Sequence, residues 1–156
     1  MILPPRALHV LAVVIWIGGV GMVTMVVLPA VRRGDLGPNR LQAFEAMERH
    51  FAWHARITTL IVGLTGLYLI DRMNLWDRFR YGEFWWMHAM VALWLVFSVV
   101  LFVAEPLIPR HRFDRWATTR PDAAFGWLQR LHWLLLVLSL ITIFGAVAGS
   151  HGWSIL

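Results

Sequence analysis

The chain has 156 residues, of which 59% are hydrophobic and only 15% are charged. This apolar share is too high for one soluble domain of this length and is typical of integral membrane proteins. The absence of cysteine excludes disulfides, thiolate metal ligands and covalent c-type haem attachment. All 14 basic side chains are arginine. In a membrane protein such an excess orients the loops, and we expect no nucleic-acid partner.

Four apolar runs are each long enough to cross a bilayer, which takes about 20 helical residues. We predict spans at residues 4–31, 51–70, 83–105 and 125–149, within a single membrane domain of residues 1–156. Pro29 is expected to kink or end the first span. The segment RLQAFEAMERHF should lead without a break into the second, and PRHRFDRWATTRPDA is interpreted as a basic loop. The predicted fold is an all-α integral membrane four-helix bundle in up-down-up-down order.

The arginines are unevenly divided between the two sides of this bundle. The first and third loops carry eight of them, and the N-terminus and second loop carry four. The positive-inside rule then predicts that both termini lie outside, in a bacterial-type inner membrane. The two halves of the chain also form a faint repeat, since each has a histidine-bearing span, a basic loop and a second histidine-bearing span.

Each predicted span carries a histidine near its start: His9, His54, His88 and His132. An ionisable side chain inside a membrane is costly unless it has a partner or a function. Because spans one and three start on the same side, His9 and His88 are predicted to form an outer pair. By the same argument His54 and His132 form an inner pair, and both pairs should lie on diagonals of the bundle.

Paired neutral imidazoles are common axial ligands of haem iron. We therefore predict two b-type haems, one for each pair, with Arg6 near the outer haem propionates and Arg56 and Arg130 near the inner ones. Three alternatives stay open: one haem, no haem, or histidines that only bond a neighbouring helix. His50 precedes His54 by one helical turn and is an alternative inner ligand.

Other polar residues have simpler expected roles. His111 is expected to be solvated in a loop, and His151 either to be exposed or to join His9 and His88 in a copper site at the outer side. Glu105 is expected to be a helix-end or interfacial charge, with a proton acceptor for quinone as the alternative.

Three segments resemble the HemJ-like and CopD-like membrane proteins. They are LHVLAVVIWIGGV with VLPAVRR in the first span, RLQAFEAMERHF before the second, and EFWWMHAMVALWLVF in the third. The resemblance implies haem binding, and the first-helix histidine of HemJ-like proteins matches His9. HemJ-like proteins are protoporphyrinogen oxidases with a lysine shortly after the third-helix histidine, where this chain has Met90. CopD-like proteins are associated with copper uptake or resistance.

The sequence therefore predicts a membrane b-type cytochrome that transfers electrons within or across the bilayer. Its expected partners are membrane lipid and a quinone or redox protein, with a homo-oligomer as a further option. Whether it is an enzyme stays open. The alternatives are a HemJ-related protoporphyrinogen oxidase, a CopD-like copper-handling protein, or a structural subunit of a respiratory complex.

Overall fold

The computed structural model describes residues 3–107 and 110–152, with the backbone only at 110–112. Within these ranges the chain forms helices joined by short turns, and no strand. In chain order the elements are α1 (Leu3–Met22), a π-helical turn (Val23–Val27), α2 (Leu28–Arg33), α3 (Arg40–Arg72), two 3₁₀ turns (Trp76–Arg80 and Gly82–Phe84), α4 (Trp85–Val99), a second π-helical turn (Val100–Ala104), α5 (Glu105–Leu107), α6 (Arg110–Thr119) and α7 (Pro121–Ser150).

Four helical stretches of the described chain are long and apolar enough to cross a membrane. We call them spans 1 to 4: Leu3–Arg33, Arg40–Arg72, Gly82–Leu107 and Pro121–Ser150. The protein is thus a multi-pass membrane protein, and the predicted all-α four-helix fold is confirmed. Many large apolar side chains stay exposed on the spans, such as Leu64 at 70%, as lipid-facing positions require.

Close contacts at glycines show that neighbouring spans run antiparallel. Spans 1 and 2 meet where Phe51 covers Gly19 at one end and His9 covers Gly66 at the other. Spans 2 and 3 meet at Gly63, which lies under the indole of Trp94. That indole also donates a hydrogen bond of 2.9 Å to the carbonyl of Thr59.

The remaining two interfaces close the ring of helices. Spans 3 and 4 meet where Trp85 covers Gly145 and Trp86 covers Gly149. Span 4 returns to span 1, and there Arg32 donates a hydrogen bond of 2.6 Å to Gln129. Spans 1 and 3 therefore lie on one diagonal and spans 2 and 4 on the other. We call the end with residues 34–39 and α6 the arginine end, and the opposite end the termini end.

Each pair of diagonally opposed spans is joined by an aromatic contact. Trp16 and Phe97 meet edge to face with ring centroids 4.8 Å apart, inside the core cluster of the middle of the bundle. Phe44 and Phe125 meet in the same way at 5.3 Å, inside a second cluster at the arginine end. Such pairs contribute about 0.5–1.5 kcal/mol beyond the area they bury. The first contact joins spans 1 and 3 in the middle of the bundle, and the second joins spans 2 and 4 at the arginine end.

Two spacings in the structure bear on the faint repeat predicted from the sequence. Both diagonal aromatic contacts join residues 81 positions apart. The two π-helical turns begin 77 positions apart, and each ends two residues before a proline, Pro29 or Pro106. The two spacings differ by four residues and do not define one register, so the repeat stays a prediction.

One local prediction was wrong, and another was narrowed. Of the two outcomes expected at Pro29, the helix does not end there: a π-helical turn precedes the proline, and α2 continues to Arg33. The predicted basic loop forms the helix α6 over Arg110–Thr119. Its apolar side lies in the arginine-end cluster, where Ala117 is buried and Phe113 meets Phe125 edge to face.

The second π-helical turn carries an ion pair between two spans. Its last turn bonds the Glu105 N–H to the Val100 carbonyl, so the Leu101 carbonyl loses the partner that a regular α-helix would give it. The Arg56 Nε donates to that carbonyl at 3.2 Å. The same guanidinium lies 3.0 Å from a Glu105 carboxylate oxygen. Arg56 thus supplies two of the polar contacts that span 3 needs where its helix is irregular.

We predict that Gly145→Ala lowers the thermal stability of the detergent-solubilised protein by several degrees. A Cβ at this position overlaps the Trp85 indole, and displacing a packed ring costs about 1–3 kcal/mol. Gly126→Ala is the matched control in the same helix, since its Cβ would meet nothing within 4 Å and alanine favours helix by about 1 kcal/mol. Equal melting temperatures for the two variants would contradict the packing of spans 3 and 4.

We also predict that Arg56→Gln destabilises the bundle. The pair is partly exposed, with 30% and 17% of the two side chains accessible, so we expect a loss of about 1–2 kcal/mol, below that of a fully buried pair. Arg49→Gln, at an exposed position of the same helix, should leave the melting temperature unchanged. A double-mutant cycle with Glu105→Gln measures the pair itself, and a coupling of zero would rule it out.

Candidate functional site

The four span histidines occupy two levels of the bundle. Spans 1 and 3 run in the same direction and touch at Trp16 and Phe97. Position 9 therefore lies at the same depth along the bundle as position 90, which is within about one turn of His88. The Phe44–Phe125 contact sets position 54 against position 135, within about one turn of His132. Each predicted pair therefore lies near one level, and the orientation of each ring decides what it can bind.

His9 points toward span 2 and is half-buried. Its Nδ1 lies 2.9 Å from the hydroxyl of Thr65, and the edge of its ring lies 3.3 Å from where a Gly66 Cβ would be. The Thr65 hydroxyl gives its own hydrogen to the Ile61 carbonyl. Since a hydroxyl has one hydrogen, Nδ1–H of His9 is the donor to Thr65 and Nε2 keeps its lone pair.

His88 points away from the bundle axis. Its ring is exposed, its Nε2 donates to the Phe79 carbonyl at 3.0 Å, and it meets the Phe79 ring edge to face. The connection before span 3 therefore holds this histidine. A rotation of α4 that turned His88 inward would pull Trp85 and Trp86 off their glycines in span 4.

The two histidines of the predicted inner pair differ in exposure. His132 is half-buried in span 4, and its Nδ1–H donates to the Leu128 carbonyl at 2.9 Å. His54 is exposed on span 2, and its Nδ1–H donates to the His50 carbonyl at 2.8 Å. A carbonyl can only accept, so both rings also keep a free lone pair on Nε2.

The third span presents a methionine, not a histidine, to the interior at the level of His9. Met87 is 6% exposed and lies two turns before Trp94 on the same face of α4. That face packs against span 2, because Trp94 covers Gly63 there. His9 covers Gly66 near the same end of span 2, so Met87 and His9 both lie toward the termini end of the bundle.

The middle of the bundle is closed by packing. Trp16 and Phe97 fill the axis two turns below His9, and Val20, Val62 and Leu136 surround them. The Trp16 indole nitrogen is buried there without a hydrogen-bond partner, which costs about 1–3 kcal/mol. This packing leaves no room for a flat ligand on the bundle axis below His9.

The three predicted propionate-binding arginines are spread over the molecule. Arg6 reaches the sulfur of Met73 at 3.1 Å, which keeps it at the termini end with His9. Arg56 is engaged with Glu105 and the Leu101 carbonyl. Arg130 is exposed on span 4. Of the three, Arg6 is the one at the end where His9 lies.

His151 follows the last residue of span 4. His151 is exposed, and its Nδ1–H donates to the Val147 carbonyl at 2.9 Å. The side chain of His111 and the residue Trp153 lie outside the described part. No three His, Asp or Glu side chains of the described residues come together as a metal site.

The sequence missed the burial of Met87 and the partner of Arg56. An apolar residue beside a histidine gives no pattern that separates a ligand from ordinary packing. The Arg56–Glu105 pair could have been found, because each residue is a charge at the edge of an apolar run and the antiparallel order of spans 2 and 3 brings those two edges together.

Comparison with known proteins adds the family. No curated protein and no solved structure matches the chain. The family described as "Domain of unknown function (DUF4149)" matches residues 11–117, which include spans 1 to 3 from Leu11 onward and most of α6. This stretch is more than half of the chain, and the protein belongs to the DUF4149 family.

Proposed function

We propose that this protein is a haem-binding membrane protein of the b-type cytochrome class, which transfers electrons at the termini end of the bundle. The observation that carries the proposal is His9. It is a half-buried imidazole within span 1 whose Nδ1–H donates to Thr65, and this assignment leaves the lone pair on Nε2. A histidine inside a span is a functional residue by default, and this tautomer is the one that an axial ligand needs.

The residues around His9 fit a haem in part. The imidazole is a suitable donor, and Arg6, at the same end of the bundle, supplies a positive charge for a propionate. When bound, haem supplies one-electron chemistry through its iron. Thr65 orients the imidazole, and the packed Trp16 and Phe97 rings exclude water from the side toward the bundle centre.

For the residue of span 3 that would hold the haem together with His9, we propose Met87 in place of His88. Met87 is buried on the interior face of span 3, whereas the His88 ring is exposed and bonded to Phe79. Histidine with methionine is an established axial pair in cytochromes and gives a higher potential than two histidines. The inner haem predicted at His54 and His132 has less support, because His54 faces outward, and we propose a single haem.

The wider role is proposed on the same basis. The donor or acceptor would be a quinone or a redox protein, and the protein would lie in a bacterial-type inner membrane with both termini outside, as the arginine distribution predicts. The resemblance to HemJ-like proteins supports haem binding more than porphyrinogen oxidation, since Met90 replaces their lysine and is 37% exposed.

The first test is a haem measurement. We predict that protein purified in mild detergent from haem-supplied cells shows b-type bands in the reduced-minus-oxidised spectrum, with about one haem per chain. The haem content of His9→Ala should be at least tenfold lower, because the Nε2 donor is removed. His151→Ala is the control and should keep it. Absence of haem bands in the unchanged protein would end the proposal.

The second test distinguishes the two candidate ligands of span 3. We predict that Met87→Ala loses most of its haem, that Met87→His keeps haem with a lowered midpoint potential, and that His88→Ala changes neither. Met87 and His88 are neighbours in α4, so they lie at nearly the same depth and differ mainly in the helix face on which they lie. Loss of haem in His88→Ala but not in Met87→Ala would assign the ligand to His88, as the sequence predicted.

A further inference from the structure

A second histidine pair lies on the surface of span 2. His50 and His54 are four residues apart on one face of α3, so their Cβ atoms are about 5–6 Å apart. Both side chains are exposed, and together with Arg49 and Trp53 they line a shallow depression near the arginine end. From the sequence alone, these two histidines are alternatives for one ligand position. In the structure both are exposed on the same face of α3.

Hydrogen bonds hold both rings in the same tautomer. The His50 Nδ1–H donates to the Ala46 carbonyl at 2.9 Å, and the His54 Nδ1–H donates to the His50 carbonyl at 2.8 Å. Because carbonyl oxygens only accept, the hydrogen is on Nδ1 in each ring and the Nε2 lone pair is free. A backbone carbonyl bonded to the other ring nitrogen is the usual support of a metal-binding imidazole.

We infer that His50 and His54 form a chelate site for a divalent first-row cation, with Cu²⁺ preferred over Zn²⁺. Two histidines spaced i and i+4 on one helical face are the metal-binding unit of helical zinc sites. Imidazole suits both ions, and the general order of divalent affinities places Cu²⁺ above Zn²⁺. Water at the membrane interface supplies the other coordination positions.

Two features set the strength of this site. Metal–nitrogen bonds of about 2.0–2.1 Å require the two Nε2 atoms to approach more closely than one helical turn, so one ring must rotate. The rotation costs one exposed hydrogen bond, which water replaces. The Arg49 guanidinium lines the same depression, and its positive charge opposes a bound cation.

This site goes beyond the proposed haem and does not rest on it. His9 and Met87 lie at the termini end, whereas His50 and His54 lie toward the arginine end on an outward face of span 2. The two proposals can therefore fail separately, because one is measured by haem content and the other by added copper.

The test is a Cu²⁺ titration of protein purified with a tag that contains no histidine and stripped with a chelator. We expect calorimetry to show one Cu²⁺ site per chain, and electron paramagnetic resonance to show two nitrogen ligands. His50→Ala and His54→Ala should each weaken binding at least tenfold. Arg49→Gln should tighten it severalfold, because the opposing charge is removed. All three positions are exposed, so the fold should be unaffected.

His151→Ala is the matched control. This histidine is also exposed and also donates from Nδ1 to the carbonyl four residues before it, but that residue is Val147 and not a second histidine. Its loss should leave Cu²⁺ affinity unchanged. Unchanged affinity in His50→Ala and His54→Ala, or a signal from one nitrogen, would overturn the inference. Loss of haem from His54→Ala would also overturn it, by assigning that ring to an inner haem.

Discussion

A backbone in hydrocarbon must satisfy its own polar groups, and the rest of this structure depends on that constraint. Regular α-helix meets it throughout most of the four spans. The two π-helical turns are the exceptions, because each shifts one hydrogen bond back by a residue before a proline. In span 3 the Leu101 carbonyl that is left over becomes the acceptor for Arg56, and Glu105 balances the charge of that arginine. The irregular backbone thus provides an acceptor for the Arg56 side chain between spans 2 and 3.

The packing of tryptophan rings against glycines then determines which face of α4 is buried in the bundle. Trp85 and Trp86 need the bare backbone of span 4 at Gly145 and Gly149, and this requirement fixes the rotation of α4 about its own axis. With α4 fixed, Met87 faces the interior and His88 faces the connection before it. Two tryptophans therefore decide which of these two adjacent side chains is turned inward.

The sequence predicted the coarse fold well, because four long apolar runs and the order of the loops leave few arrangements. The spans, the unbroken entry into span 2 and the levels of His9 and His88 follow from length and helical rise. The rotation of each helix about its own axis could not be predicted from the sequence. Spans 1, 3 and 4 carry apolar residues around their whole circumference, so no amphipathic face indicates which side is buried. For the same reason the sequence could not tell that Met87 is buried, that His54 is exposed, or that PRHRFDRWATTRPDA folds into a helix against Phe125.

The two π-helical turns lie in different surroundings. The residue that follows each turn is Leu28 in span 1 and Glu105 in span 3. Leu28 is fully buried in the arginine-end cluster, while Glu105 pairs with Arg56. The same local change of backbone therefore meets apolar packing in one span and an ion pair between helices in the other. A change of salt concentration would act on the contact between spans 2 and 3, and the packing of Leu28 would not respond to it.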